Sequence, residues 1–388
     1  PGAVPPVVMP PIAVVAPVEP PLDDNWFRFV VAPGMPAAEP ATDRLVLGLI
    51  AGESTELSGM GLAFGWYNVQ DTMHGLVATL GTTSVRQLDG LQASLAANTD
   101  GEGGTGGQLT VGANIATGDL VGAQLSVGAN IATKKLSGVQ LTAGGNFATG
   151  GLDGLQFSSG VNVLGGAPST GVQAAMINVA HAPFEGLQLS LINVGQDVKG
   201  VQLGLINVGH DVSGTQIGLI NVAHDVKGAP IGLLSFEKEG RHDLLVFASE
   251  ADGVNAELRF GGDYLYTLVG GGGLPEHAYA SFGLGAHVPF GKVLWTDLDA
   301  LGATYIPLGT TIVRNGEVRG PFSRPPTQVI RARATIGLQL AKQFAPFVGA
   351  SMNVRVPGDY ALVDVAPGWY GVDGDLIAWP GAFAGVQF

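Results

Sequence analysis

The chain has 388 residues, with 18 Lys+Arg against 32 Asp+Glu, a formal net charge of -14, 61 Gly, 24 Pro and no Cys. Only 13% of it is charged while 46% is hydrophobic, which excludes intrinsic disorder, since disorder needs low hydrophobicity and high charge. No basic stripe is available to displace counterions, so nucleic acid is excluded as a partner.

Residues 1–22, PGAVPPVVMPPIAVVAPVEPPL, hold eight prolines and read as an extended polyproline-like tether. No apolar run of about 18 residues free of helix breakers follows, so no transmembrane helix is expected. The lack of Cys suits an exported chain. Residues 23–58 are expected to hold N-terminal strands, one of them at 45–51.

Self-similarity dominates residues 59–236. The units GGQLTVGANIATGDL, VGAQLSVGANIATKKL and SGVQLTAGGNFATGGL are followed by GLQLSLINVGQDVK, GVQLGLINVGHDVS and GTQIGLINVAHDVK. Equivalent Gln residues recur every 16 positions at first and every 14 from Gln188 onward, and a last copy, APIGLLSF, puts Pro230 where Gln is expected. Each unit has the period of a strand. In QLTVGANIA, Leu109, Val111, Ala113 and Ile115 alternate with Gln108, Thr110, Gly112, Asn114 and Ala116.

Two β architectures can use such a unit: an antiparallel meander closed into a barrel, or a parallel solenoid that stacks equivalent residues. Folded as hairpins about Asp119 and Lys135, the units set Asn114 opposite Gln124, Gln108 opposite Asn130 and Asn130 opposite Gln140. Continued through Asn146, Gln156 and Asn162, this polar ladder would line a barrel lumen. In both architectures Val127 is expected on the covered side, in lipid or in a dry core, and Ser126 on the wet side. Three features favour stacking. From Gln173 the Gln-to-Asn spacing is 5 rather than 6, no Trp or Tyr occurs between Tyr67 and Tyr264, and the Gln-Asn pattern at 202–209 is similar to the core of the curli-type amyloid repeat.

Residues 237–388 read as antiparallel strands at 243–251, 254–262, 264–272, 279–290, 293–306, 328–341, 344–356 and 382–388, separated by turn signals such as Asp252-Gly253. Val386 and Ala384 stand at alternate positions behind the terminal Phe388. This ending resembles the closing strand of a bacterial outer-membrane barrel, with Phe388 as its assembly signal. The fold class expected is an all-β, antiparallel outer-membrane-type β-barrel of roughly 20 short-turn strands. Its alternative is a parallel β-solenoid over 59–236 followed by an antiparallel C-terminal β-barrel or sheet.

The segments GLQLSLINVG, GVQLGLINVG and GTQIGLINVA, with the APIGLL and YLYTL that follow, resemble bacterial surface-repeat proteins built on G-[LV]-Q-[LI]-x-x-[LI]-N-[VI]-A units, as in leptospiral surface proteins. The resemblance covers about residues 43–388. It implies export to the outer membrane or cell surface of a Gram-negative bacterium and implies no activity. The 16-residue units depart from the shorter form.

His181, His210-Asp211 and His224-Asp225 are metal-ligand types in repeat turns, and zinc needs such residues to converge. Adjacent His would meet in a stack and would lie at opposite ends in a meander. They read as polar solvated turns, so no metal is expected. Ser-Gly pairs such as Ser159-Gly160 lack a nucleophile elbow. The Gly-rich runs at 101–107 and 269–274 precede no helix with Lys-Ser/Thr. Neither an enzyme nor a cofactor is expected. The partners expected are the lipid bilayer and the outer-membrane insertion machinery. The function expected is an outer-membrane surface protein acting as a porin-like, weakly cation-selective pore for small solutes or ions, with Asp100, Glu102, Asp119 and Asp153 as acids at its mouth. The alternative is a non-pore structural or adhesive surface protein.

Overall fold

The structure is a computed structural model that describes residues 23–32, 34–35, 41–275, 277–308, 312–314, 317–319, 326–356, 371–372 and 376–388. The proline-rich tether at 1–22 lies outside the described residues. Among those described there is no helix. Most of the strands form two bodies, a parallel solenoid of about 15 coils and an eight-stranded antiparallel barrel, and Ile312–Arg314 pairs separately with Glu317–Arg319.

In the solenoid, like stacks on like. Gln124 lies between Gln108 and Gln140, and Asn130 lies between Asn114 and Asn146. A 16-residue coil has a longer strand, Asp119–Ser126, and a shorter one, Ala129–Ala132. Parallel pairing begins at Asp23–Asn25, which pairs with Ala41 to Asp43, so the described strands before residue 59 belong to the same stack as the repeats.

The roughly 20-stranded antiparallel barrel is thereby replaced by its stacked alternative. One reason is chemical. A carboxamide both donates and accepts, so identical amides one strand spacing apart satisfy each other indefinitely. A hairpin would oppose Gln to Asn, whose side chain is one methylene shorter. A second reason is steric. Gly122, Gly138, Gly154 and Gly171 stack in register at φ values of 148, 150, 150 and 131. A Cβ on any of them would strike the carbonyl oxygen of the glycine one coil earlier, and an L side chain resists that φ. The pairings of Asn114 with Gln124 and of Gln108 with Asn130 do not occur.

The change of Gln-to-Asn spacing has a simple basis. The two amides sit on different strands of a coil, on either side of a bend. The bend at Ala174–Ile177 is one residue shorter than that at Leu109–Ala113, and both Gln173 and Asn178 stay buried.

The facing of the alternation is reversed. The Gln and Asn side chains point into the solenoid, while Val111 and Val127 are 53% and 57% exposed. Ser126 is half-buried and donates to Thr142 Oγ1 at 3.0 Å. The narrow interior is already filled by Leu120, Leu136 and Leu152 packed against Ala116, Ala132 and Ala148, with the amides beside them. The alternate residues have nowhere to go but outward.

The barrel comprises Arg241–Ser249, Gly253–Gly261, Leu265–Leu274, His277–Phe290, Leu294–Pro307, Thr327–Leu338, Ala345–Arg355 and Leu376–Gln387. Each neighbour pairs antiparallel, and the last strand closes on the first with Val246 opposite Val386. The eight C-terminal strands read from sequence are these eight. At one end the connections are short, from Gly261 to Leu265, Phe290 to Leu294 and Leu338 to Ala345. The two longest, Pro307 to Thr327 and Arg355 to Leu376, lie at the other. The solenoid abuts the short-turn end, where Thr267 Oγ1 donates to the Gly232 carbonyl at 2.8 Å and Phe236 meets Phe260 at 5.5 Å between rings.

Candidate functional site

The predicted polar ladder is present, but as core. Gln108, Gln124, Gln140 and Gln156, with Asn114, Asn130, Asn146 and Asn162, are fully buried in the solenoid and line no lumen. Each Gln Nε2 donates to the Oε1 of the preceding coil: Gln124 to Gln108 at 2.8 Å, Gln140 to Gln124 at 2.7 Å, Gln156 to Gln140 at 2.7 Å. Each Asn Nδ2 donates the other way, to the Oδ1 of the following coil: Asn114 to Asn130 at 2.8 Å, Asn130 to Asn146 and Asn146 to Asn162 at 2.9 Å. The two columns of amide dipoles therefore oppose each other. The second Asn N–H is taken by a bend carbonyl, as in Asn130 Nδ2 to Leu141 O at 2.9 Å. Up to its last rung, Gln216, the ladder is a self-satisfied polar core.

The column beside the Asn ladder runs Val85, Asp100, Ala116, Ala132. Asp100 is thus a core residue, not an acid at a pore mouth. Burial pushes its carboxyl up to about 6, against the pull of the backbone N–H groups of Gly103 and Glu102. Its Oδ1 accepts from Gly103 N at 3.0 Å, and its Oδ2 is buried without a partner. At the far end the same column closes with Ala223 and Glu237. Burial raises the Glu237 carboxyl as well.

The barrel holds a second group, which the sequence reading passed over. Glu257, Arg259, Asp297, Asp299, Arg331 and Arg333 all point inward and are buried. Arg333 Nη2 donates to Glu257 Oε2 at 2.7 Å and to Asp299 Oδ2 at 2.8 Å. Arg259 Nε donates to Glu257 Oε1 at 2.8 Å, and its guanidinium also meets Asp297 and Asp299. Arg331 pairs with Asp252 at 2.9 Å, and Tyr266 OH donates to Asp299 Oδ1 at 2.5 Å. The signal lay in the spacing: ELR, TDLD and RAR carry charges at every second position inside strands that are otherwise apolar. Leu284, Leu298, Ile330, Ile336 and Val348 alternate with these strands' inward residues and are exposed on the outside.

A third cluster lies on the last coils, with His210 and Asp211 inside the strand Ile206–Ala223 and His224 just after it, although the sequence pattern predicts turns there. His210 and His224 stack in neighbouring coils, with ring centroids 4.9 Å apart and planes within 7°. Asp211 Oδ1 is 3.4 Å from His210 Nδ1 and 3.6 Å from His224 Nδ1. His181 takes no part, because Gln196 occupies the position between it and His210. No protein-family model, no curated protein and no solved structure matches the chain.

Proposed function

We propose that the chain is a non-pore structural protein held in a bilayer by its eight-stranded barrel, with the solenoid standing outside the bilayer as a rigid scaffold. The observation that carries this reading is the polarity of the barrel. Its exterior is set with Leu298, Ile330, Ile336 and Val348, and its interior with paired Arg, Asp and Glu. In water that order would expose the apolar face; in lipid it buries it. Exposed Tyr264, Phe290, Phe344 and Phe388 gather at the short-turn end, as in an interfacial aromatic girdle.

An interior of about eight strands is just wide enough to be filled by side chains, and the ion-paired Arg259, Arg331 and Arg333 occupy it. This weighs against the porin-like pore and favours the structural alternative. Only short turns lie at one end, while the two longest connections lie at the other beside the short turns from Ser249 to Gly253 and Leu274 to His277; this partly matches outer-membrane barrels, whose short turns face the periplasm. The solenoid adjoins the short-turn end, which supports a periplasmic scaffold over a surface adhesin.

Extraction and bilayer recording test the proposal together. The full chain should require detergent, migrate differently before and after boiling, and insert into planar bilayers without conductance steps. A chain that stays monodisperse without detergent contradicts the anchor, and discrete conductance steps would restore the pore.

A further inference from the structure

We propose that His210, Asp211 and His224 form a binding site for a divalent transition-metal ion of the zinc class. Their ligand atoms all lie within 4.8 Å of one another. Binding would turn the two stacked rings, 4.9 Å apart with planes within 7°, so that both Nδ1 atoms face one ion, and two of the three spacings are already close to what it needs. Metal bonds of about 2.0–2.1 Å at tetrahedral angles put neighbouring ligand atoms about 3.3–3.4 Å apart. Asp211 Oδ1 stands 3.4 Å and 3.6 Å from the two Nδ1 atoms, and no hydrogen bond joins them to explain that spacing.

A second observation points the same way. Nδ1 of His224 is buried and has no hydrogen-bond partner. On the far side of the ring, Glu239 Oε1 lies 3.8 Å from Nε2. That distance is too long for a hydrogen bond, but it sets a carboxylate on the Nε2 side of the ring, the side from which carboxylates support metal-bound histidines. Two imidazoles and one carboxylate suit zinc, and they leave a fourth position open to water or to a group from another molecule.

The site exists because of the stack. His210 and His224 are 14 residues apart in sequence and are brought face to face by the register that pairs Asp211 with Asp225. In the coil before, Gln196 holds the corresponding position, so the fold accepts Gln there.

That Gln supplies the test. Untagged full-length protein in detergent, stripped with a chelator, is titrated with zinc by calorimetry and with cobalt by visible absorption. One saturable ion per chain is expected, with the intense visible bands of tetrahedral cobalt. His210→Gln, His224→Gln and Asp211→Asn should each weaken binding by about 10–100-fold or more, while His181→Gln leaves it unchanged. The melting curve of each variant is recorded beside the titration, and the Gln variants are expected to keep the parent's. Absence of saturable binding in the parent, or unchanged affinity in the His210→Gln/His224→Gln double variant, would overturn the site.

Discussion

Gln216 is the last rung of the glutamine ladder because its register partner one coil on is Pro230. Its Nε2 donates to Gln202 Oε1 at 2.8 Å, and its own Oε1 is buried without a donor. Pro230→Gln should supply that donor and raise the stability of the solenoid by about 1–3 kcal/mol, the usual cost of one orphaned buried acceptor. Pro230→Ala is the control, since it changes the backbone without adding an amide. Equal denaturation midpoints for the two variants would contradict the assignment.

A rung in mid-ladder has two neighbours to lose. Gln140→Leu strands Gln156 Nε2 without an acceptor and Gln124 Oε1 without a donor. At about 1–3 kcal/mol for each orphan, the loss should be about 2–6 kcal/mol in chemical denaturation. Val127→Thr, on the exposed side, should stay within about 0.5 kcal/mol. If the valine change proved the worse of the two, the inward facing of the amides would be wrong.

Asp100 gives the solenoid a pH dependence of opposite sign to that of a salt-bridged carboxylate. Its ordinary value is 3.8 and burial moves the folded value to about 6. Between these values the folded state binds the proton more tightly than the unfolded chain does, so stability falls as pH rises through the window. Asp100→Asn should be more stable than the parent at pH 7, and the difference should shrink steadily as pH drops from about 7 to about 4. A difference that grows on acidification would reject the buried, unsatisfied carboxyl.

Within the barrel, Arg333 bridges Glu257 and Asp299. Arg333→Met leaves two buried carboxylates without that partner and should cost about 3–5 kcal/mol, the range for breaking a buried pair from one side. Urea titration of the protein folded into vesicles measures it. A loss under about 1 kcal/mol would mean that water, not the network, fills the interior.

Much of this fold is readable from the chain. The period-two alternation, the Gln-Asn units and the eight C-terminal strands at 243–388 all correspond to observed strands. The pairing partner was not readable from pattern, because Gln108 and Asn130 are spaced so that either a hairpin or a stack places amide beside amide. What separates them is side-chain length and the positive-φ glycine column at Gly122 and Gly138, whose meaning emerges only once coils touch. Facing was misread for a related reason. The alternation predicts the apolar residues on the buried side, yet Leu120 and Ala116 already fill the apolar part of a core too thin for Val127. In the barrel, Glu257, Asp299 and Arg333 were visible as period-two charges. They come together only through register, with Asp299 directly opposite Arg333.

The absence of Cys in the chain makes single-cysteine labelling the most direct measurement of the membrane-anchor reading. Leu298→Cys sits on the outer face of the barrel, and Thr133→Cys sits in a solenoid turn. Protein carrying each is folded into lipid vesicles in detergent-free buffer, the vesicles are opened to expose both sides, and a water-soluble maleimide is added. Position 298 should stay unlabelled until detergent strips the lipid, while position 133 labels at once. Equal, rapid labelling at both positions in intact bilayers would contradict the reading that this barrel faces lipid.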